Sequence, residues 1–380
     1  MALSRIAAAL VLLLAIALPA QGSDYAALRA GLEQRLDALQ QRLLDTGHNR
    51  DLAPARELFE GWLYHARLTG DHGSWQRASA ALDELEQRSL ALPCAEQAQL
   101  ALATHQPAGA AAALERCPDV AAGKLQADID LYQGRYPAAV ARMTRLLNRD
   151  PLPEYFAWMA SWRLYSGSPQ EAHALLEAAE KRYHNRNPHQ HAWFRLQRGI
   201  VALEQGDLER ARIFFEQSLA QLPGWWLAQE HLAETLLLQG DSAAAALLYD
   251  EVIASTGAGE FLAARAGIAG SAGDEALASA LLARARADFD QRPATLAGHA
   301  VEFFLEHGPP ERALALARAD YEARPYGGSA TLLARALLAA GDAAAAVAVL
   351  QPEVDRGWNT AEAQRVLAEA SARLGSPHSV

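Results

Sequence analysis

Valine, isoleucine and threonine are sparse in this 380-residue chain, while alanine is abundant. β-Branched residues suit strands, and alanine loses no side-chain entropy in a helix, so the balance argues against sheet architecture and for helices. Positive charge is also short. Lys and Arg number 34 against 45 Asp and Glu, a formal net charge of −11. That deficit excludes a general nucleic-acid or anionic-membrane binder. The usual catalytic signatures are missing as well. There is no G-x-S-x-G, no H-E-x-x-H and no phosphate-binding glycine loop after a strand. HAVEFFLEH, His299 to His307, carries His and Glu on one helix but at the wrong spacing for a zinc protease. The expectation is a non-enzyme without a cofactor. Disorder is excluded by a 51% apolar content.

Long apolar runs are confined to the start. Arg5, then IAAALVLLLAIAL from Ile6 to Leu18, then PAQGSD, has the layout of a secretory signal over residues 1–22, with cleavage after Ala20 or Gly22. The run is short for a bilayer crossing, although an uncleaved anchor is the rival reading. No cysteine stands near the processing site for a lipoprotein. Export to the periplasm, or another exported location, is expected, with no stable membrane span in the mature form. Cys94 and Cys117 are the two cysteines. In an oxidising compartment they are expected to pair, since Cys94 begins one predicted helix and Cys117 ends the next. Two independent buried thiols are the alternative.

What is present is a repeat. Residues 23–50 read as an amphipathic helix, with Leu28, Leu32, Leu36, Leu39 and Leu43 at spacings of three and four. Residues 51–118 read as divergent helical hairpins containing the cysteine pair. From there to residue 357 the chain alternates helix, short turn, helix and longer turn. Its turn glycines are Gly134, Gly167, Gly206, Gly240, Gly273, Gly308 and Gly341, at intervals of 33, 39, 34, 33, 35 and 33. Five residues after each comes alanine: Ala139, Ala172, Ala211, Ala245, Ala278, Ala313 and Ala346. A further helix over 358–375 is expected to cap the array, leaving a tail at 376–380. A helical hairpin cannot bury its apolar face alone, so such units stack, and only small residues fit where helices approach closely.

Gly199, Ala211, Phe215 and Pro223, with Ala233, Ala245, Tyr249 and Gly257 one unit later, make this 34-residue unit resemble the tetratricopeptide repeat. The copies are divergent: Arg195 and Gln229 stand where that family usually has an aromatic residue, and Gly257 replaces its proline. The resemblance implies an all-α, right-handed α-solenoid of stacked antiparallel hairpins. It also implies that first helices line a concave face. Carried over by phase, the ligand-facing positions are Trp193, Leu196, Ile200 and Leu203, then Leu227, Glu230 and Glu234, beside Trp226. The expected role is a non-catalytic scaffold of the bacterial cell envelope that holds a protein or peptide in its groove during assembly or secretion. The alternative is an accessory module binding or exporting an envelope glycan or exopolysaccharide through tryptophans such as Trp158, Trp162, Trp193, Trp225 and Trp226. The same tryptophans would also suit gaps between repeats.

The 39-residue interval marks an insertion, KRYHNRNPHQH, the one concentrated basic and histidine-rich segment. Loops carry function disproportionately. Arg182 and Arg186 are candidates for contact with an acidic partner. His184, His189 and His191 could serve a transition metal if they converged, but loop residues alone do not promise that, and no metal site is assigned.

Overall fold

A computed structural model describes residues 24–45, 52–89, 91–118, 122–291 and 297–375. The expected signal at 1–22 and the tail at 376–380 lie outside the described residues. Those residues form twenty helices and no strand. α1 (Tyr25–Asp45) precedes the hairpins α2 (Ala53–Thr69) with α3 (Gly73–Arg88), α4 (Cys94–Ala103) with α5 (Pro107–Glu115), and α6 (Gly123–Tyr132) with α7 (Tyr136–Arg149). Next come α8 (Pro153–Tyr165) with α9 (Pro169–Arg182), α10 (Pro188–Glu204) with α11 (Leu208–Gln221), and α12 (Trp226–Leu238) with α13 (Ser242–Thr256). The last hairpins are α14 (Gly259–Ser271) with α15 (Glu275–Gln291), α16 (Ala297–His307) with α17 (Pro310–Ala323), and α18 (Gly327–Ala339) with α19 (Ala343–Asp355). The unpaired α20 (Ala361–Gly375) packs on α18 and α19. The fold is a right-handed α-solenoid.

The repeat register acts as its chemistry requires. All seven register alanines are buried. Gly134, Gly167, Gly206, Gly240, Gly273 and Gly341 have positive φ, which an L side chain rarely adopts. Asp207, Asp241, Asp274 and Asp342 follow four of these glycines, and each carboxylate accepts from a backbone N–H in the first turn of the next helix, at 2.9–3.1 Å. Gly308 lacks the positive φ of the others; its turn enters α17 through Pro309 and Pro310 instead. The leucine stripe of α1 is buried against α2. Cys94 and Cys117 are joined by a disulfide, S–S 2.05 Å, across the α4–α5 hairpin.

The solenoid coils tightly enough to meet itself. The Tyr136 hydroxyl donates to Glu353 and accepts from the Gly327 N–H at 2.7 Å, spanning 217 and 191 residues. Trp358 stacks on Tyr165, centroids 4.5 Å apart, and the Asn359 N–H donates to the Tyr165 carbonyl at 2.7 Å. These separations correspond to about six 34-residue repeats per turn. At the other end, the Tyr25 N–H donates to the Pro223 carbonyl, and Trp226 Nε1 donates to the Leu68 carbonyl, both at 2.9 Å.

Candidate binding cavity on the inner face

Self-contact leaves a cavity of about 320 Å³ between successive turns of the solenoid. Its walls come from α2, α4 and α6 of the first turn, with Trp75 of α3, and from α12, α14 and α16. Apart from α3, these are the first helices of their hairpins. Trp75, Tyr132, Trp226 and Phe261 supply aromatic surface. Gly70 lies flush against Trp226, where an added Cβ would sit 3.0 Å from the indole.

The polar lining falls into two groups. Arg67 and Gln99 enter from α2 and α4. Arg67 Nη1 and Gln99 Nε2 are shut off from solvent and make no hydrogen bond. Burial draws the Arg67 guanidinium down to about 10, opposed only by the charge of Asp128. Asp128 is itself engaged: it accepts from Lys124 at 2.9 Å and from Trp158 Nε1 at 2.7 Å. The second group is Glu230, His231, Glu260 and His299. His299 Nε2 lies 3.2 Å from Glu260, and His231 Nδ1 lies 3.4 Å from Glu230. His231 also stacks on Phe215 at 5.4 Å, which fixes its ring. Glu230, His231 and Glu234 offer ligand atoms within 4.8 Å of one another, the one such group of three among the described residues, and could hold a metal ion.

His105 closes the cavity at the α4–α5 turn. Among the described residues it is the one non-glycine with positive φ, 64°. Burial pushes its imidazole down to about 3, helped by the charges of Arg324, His299 and His72, so the ring is neutral.

Of the ten expected partner-binding residues, Trp226, Leu227 and Glu230 line this cavity. Glu234 is half-buried one turn further along α12, 3.8 Å from His231. Trp193, Leu196 and Leu203 are buried, and Ile200 is packed against the same core. These side chains belong to one core cluster with the leucines of α1 and α2, so the α10 positions on which a ligand was expected are taken up by packing. Trp158 and Trp225 are fully buried and Trp162 nearly so. Arg182 and Arg186 are exposed; Arg182 lies over the Phe156 ring and donates to the Ala178 carbonyl. The insertion histidines do not converge. His189 is buried with Nδ1 3.1 Å from the Tyr64 hydroxyl, His191 Nε2 contacts the Asn185 carbonyl at 2.8 Å, and His184 is exposed. Asn187 caps α10 and donates to the Tyr64 hydroxyl, so the insertion ties α10 to α2.

Sequence reasoning missed Arg67, Gln99, His105, Glu260 and His299. The last two stand on first helices of regular repeats, where phase could have found them. The first three lie in the irregular N-terminal third, which offers no register to transfer.

This arrangement of stacked hairpins defines a helical-repeat scaffold. A tetratricopeptide-repeat family model matches residues 160–225 and 196–260, so this part of the chain carries divergent tetratricopeptide-like repeats. No curated protein matches the sequence. Among solved structures it is similar to PilW, a widely conserved type IV pilus biogenesis factor, with 19% identity, 63% of this chain and 97% of that one covered, and a TM-score of 0.40. It is also similar to PilF of Pseudomonas aeruginosa (17%, 66% and 99%, 0.38) and to MamA (15%, 44% and 95%, 0.37).

Proposed function

We propose that this protein is a non-catalytic scaffold of the bacterial cell envelope that holds a protein partner during assembly or secretion. The observation that carries the reading is the repeat itself: tetratricopeptide arrays are protein-interaction scaffolds, and here the register side chains serve stacking. Envelope location is supported by the signal-like pattern of residues 1–22 and by the Cys94–Cys117 disulfide, a bond that persists in oxidising compartments. No helix among the described residues is long and apolar enough to cross a membrane.

Trp193, Leu196 and Leu203 are buried, so α10 offers no open apolar strip to a long peptide. Partner contact therefore falls to the cavity mouth or to the outer helices. Ile213 and Leu247, each seven residues beyond its turn glycine, are exposed there on α11 and α13. The glycan alternative would need accessible tryptophan faces, and Trp158 and Trp225 offer none.

The test is cell fractionation combined with photo-crosslinking from positions 213 and 247. A periplasmic protein that cross-links to one defined protein band supports the proposal. Retention in the cytosol, or cross-links to no protein at either position, overturns it.

A further inference from the structure

The α4–α5 turn holds His105 at φ 64°, in the left-handed region that a histidine keeps only where the surrounding structure compensates for it. It does so at the cavity wall. The imidazole is neutral there, with one donor and one acceptor nitrogen. It makes no hydrogen bond among the described residues, and the same is true of the Tyr132 hydroxyl, which also lines the cavity. Both residues are half-buried, and unlike Arg67 Nη1 and Gln99 Nε2 their polar atoms are not closed off. The charged groups around them are engaged with one another. Asp128 accepts from Lys124 and Trp158, Glu260 lies 3.2 Å from His299, and Glu230 lies 3.4 Å from His231. A charged ligand would have to displace one of these partners. Much of the remaining wall is apolar: Trp75, Leu102, Leu125, Trp226 and Leu227 line it and are half-buried. A volume of about 320 Å³ lies at the small end of ligand pockets.

We propose that this cavity binds a neutral aromatic molecule of one or two rings that carries a hydroxyl or ring N–H, the phenol or indole class, with its rings against Trp75 and Trp226 and its polar group at His105 and Tyr132. The proposal does not depend on the partner-holding role. Aromatic walls favour a flat ring over an aliphatic chain of equal size, because stacked and edge-on contacts add to area burial. The two neutral polar groups supply the hydrogen bond that a bare hydrocarbon cannot use. Because the walls belong to two turns of the solenoid, an occupant stabilises the coiled form against opening, by mass action on the folded state alone.

The test is calorimetric titration and thermal melting of the purified mature protein with phenol and indole. Benzene and indene are the matched rings without a polar group, and benzoate and benzylamine are the charged controls. Phenol or indole is expected to bind and raise Tm, with its matched hydrocarbon about threefold or more weaker. Both charged controls should be about tenfold or more weaker. His105→Gly, which keeps the positive φ, and Tyr132→Phe, which keeps the ring, each weaken the polar probe about threefold or more and leave the hydrocarbon unchanged. A residue that only shaped the wall would move both alike, so equal weakening of probe and hydrocarbon in the two variants overturns the assignment. It is also overturned if neither phenol nor indole binds, or if a matched hydrocarbon or a charged control binds as tightly. Unchanged affinity for the polar probe in both variants sinks it too.

Discussion

Two glycines in first helices show what the repeat demands of single residues. Gly199 sits where α10 meets α11, and an added Cβ would lie 2.4 Å from Phe215 Cε1. The Phe215 ring is fully buried and backed by His231, so it has little room to yield. Alanine in a helix gains about 1 kcal/mol over glycine, while forcing a methyl into a filled core costs about 1–3 kcal/mol. With Phe215 unable to yield, the cost falls at the upper end, and Gly199→Ala should lower stability by about 1–2 kcal/mol, read as a lower urea midpoint at unchanged slope. Gly267, exposed on α14, has no neighbour within 4 Å of such a Cβ. There only the helix gain operates, and Gly267→Ala should raise stability by about 0.5–1 kcal/mol. Gly199 was readable in the sequence because the 34-residue register names it as a packing position, whereas nothing in its own neighbourhood does. Glu204, at the end of α10, could not be read this way. Burial, then the charges of Glu362 and Glu234, push its carboxyl up to about 7 from the ordinary 4.5, and Glu362 lies 158 residues away in sequence. Between about pH 4.5 and pH 7 the native state therefore binds more protons than the unfolded chain. Stability from this group is complete below that window and falls as pH rises through it, by about 3 kcal/mol at the upper bound. Melting from pH 5 to pH 8 should show Glu204→Gln flattening the decline; parallel curves for variant and wild type would count against it.

Helix by helix, the molecule is uneven, and the α4–α5 hairpin is its thinnest part. The two helices have 10 and 9 residues, and their cluster consists mainly of alanines, with Leu114 and Ile129. Isolated helices of that length are marginal, so this hairpin depends on its partners. The Cys94–Cys117 disulfide spans 23 residues and removes conformations from the unfolded chain, an effect of about 3 kcal/mol in a chain-entropy description. Cys94→Ser with Cys117→Ser should lower stability by about 2–4 kcal/mol. Hydrogen exchange should quicken first across residues 94–117, with α10–α13 retaining their protection. Since Gln99 and His105 stand on this hairpin, its loosening would also disturb the cavity wall. Cysteine spacing at predicted helix ends made the pairing legible. The insertion is the opposite case. Its histidines invited a metal or partner reading, yet His189 and Asn187 meet the Tyr64 hydroxyl some 120 residues earlier, a contact no local pattern announces.

At the scale of the whole molecule, what escaped the sequence is the solenoid's contact with itself. Periodicity fixes each repeat against its neighbour, and that is why the architecture could be read from Gly and Ala alone. The pitch of the superhelix depends on small rotations summed over about six repeats, which no single position encodes. Hence Trp193, Leu196 and Leu203, expected on an open groove, are buried, and the cavity was legible only from its α12 side. The residues that set the closure are also special in kind. Gly327 has an ordinary backbone, but an added Cβ would lie 2.0 Å from Trp358 Cγ, so close approach of the two turns excludes a side chain there. Tyr136 is buried; its hydroxyl accepts from the Gly327 N–H and donates to the wholly buried Glu353. Tyr136→Phe removes both bonds and leaves Glu353 with Arg356 as its remaining hydrogen-bond donor. An under-satisfied buried carboxylate costs about 1–3 kcal/mol or more, exceeding the loss of a typical neutral hydrogen bond. The expected result is a fall in stability of about 2–3 kcal/mol, with helix content unchanged by circular dichroism because no repeat is itself altered. Gly327→Ala strikes the same joint sterically, and small-angle X-ray scattering should show a larger radius of gyration for that variant as the turns separate. A variant that melts earlier yet scatters like wild type would mean the turns stay together without this joint, and that the contacts of α1 and α2 with α10–α12 hold the closure instead.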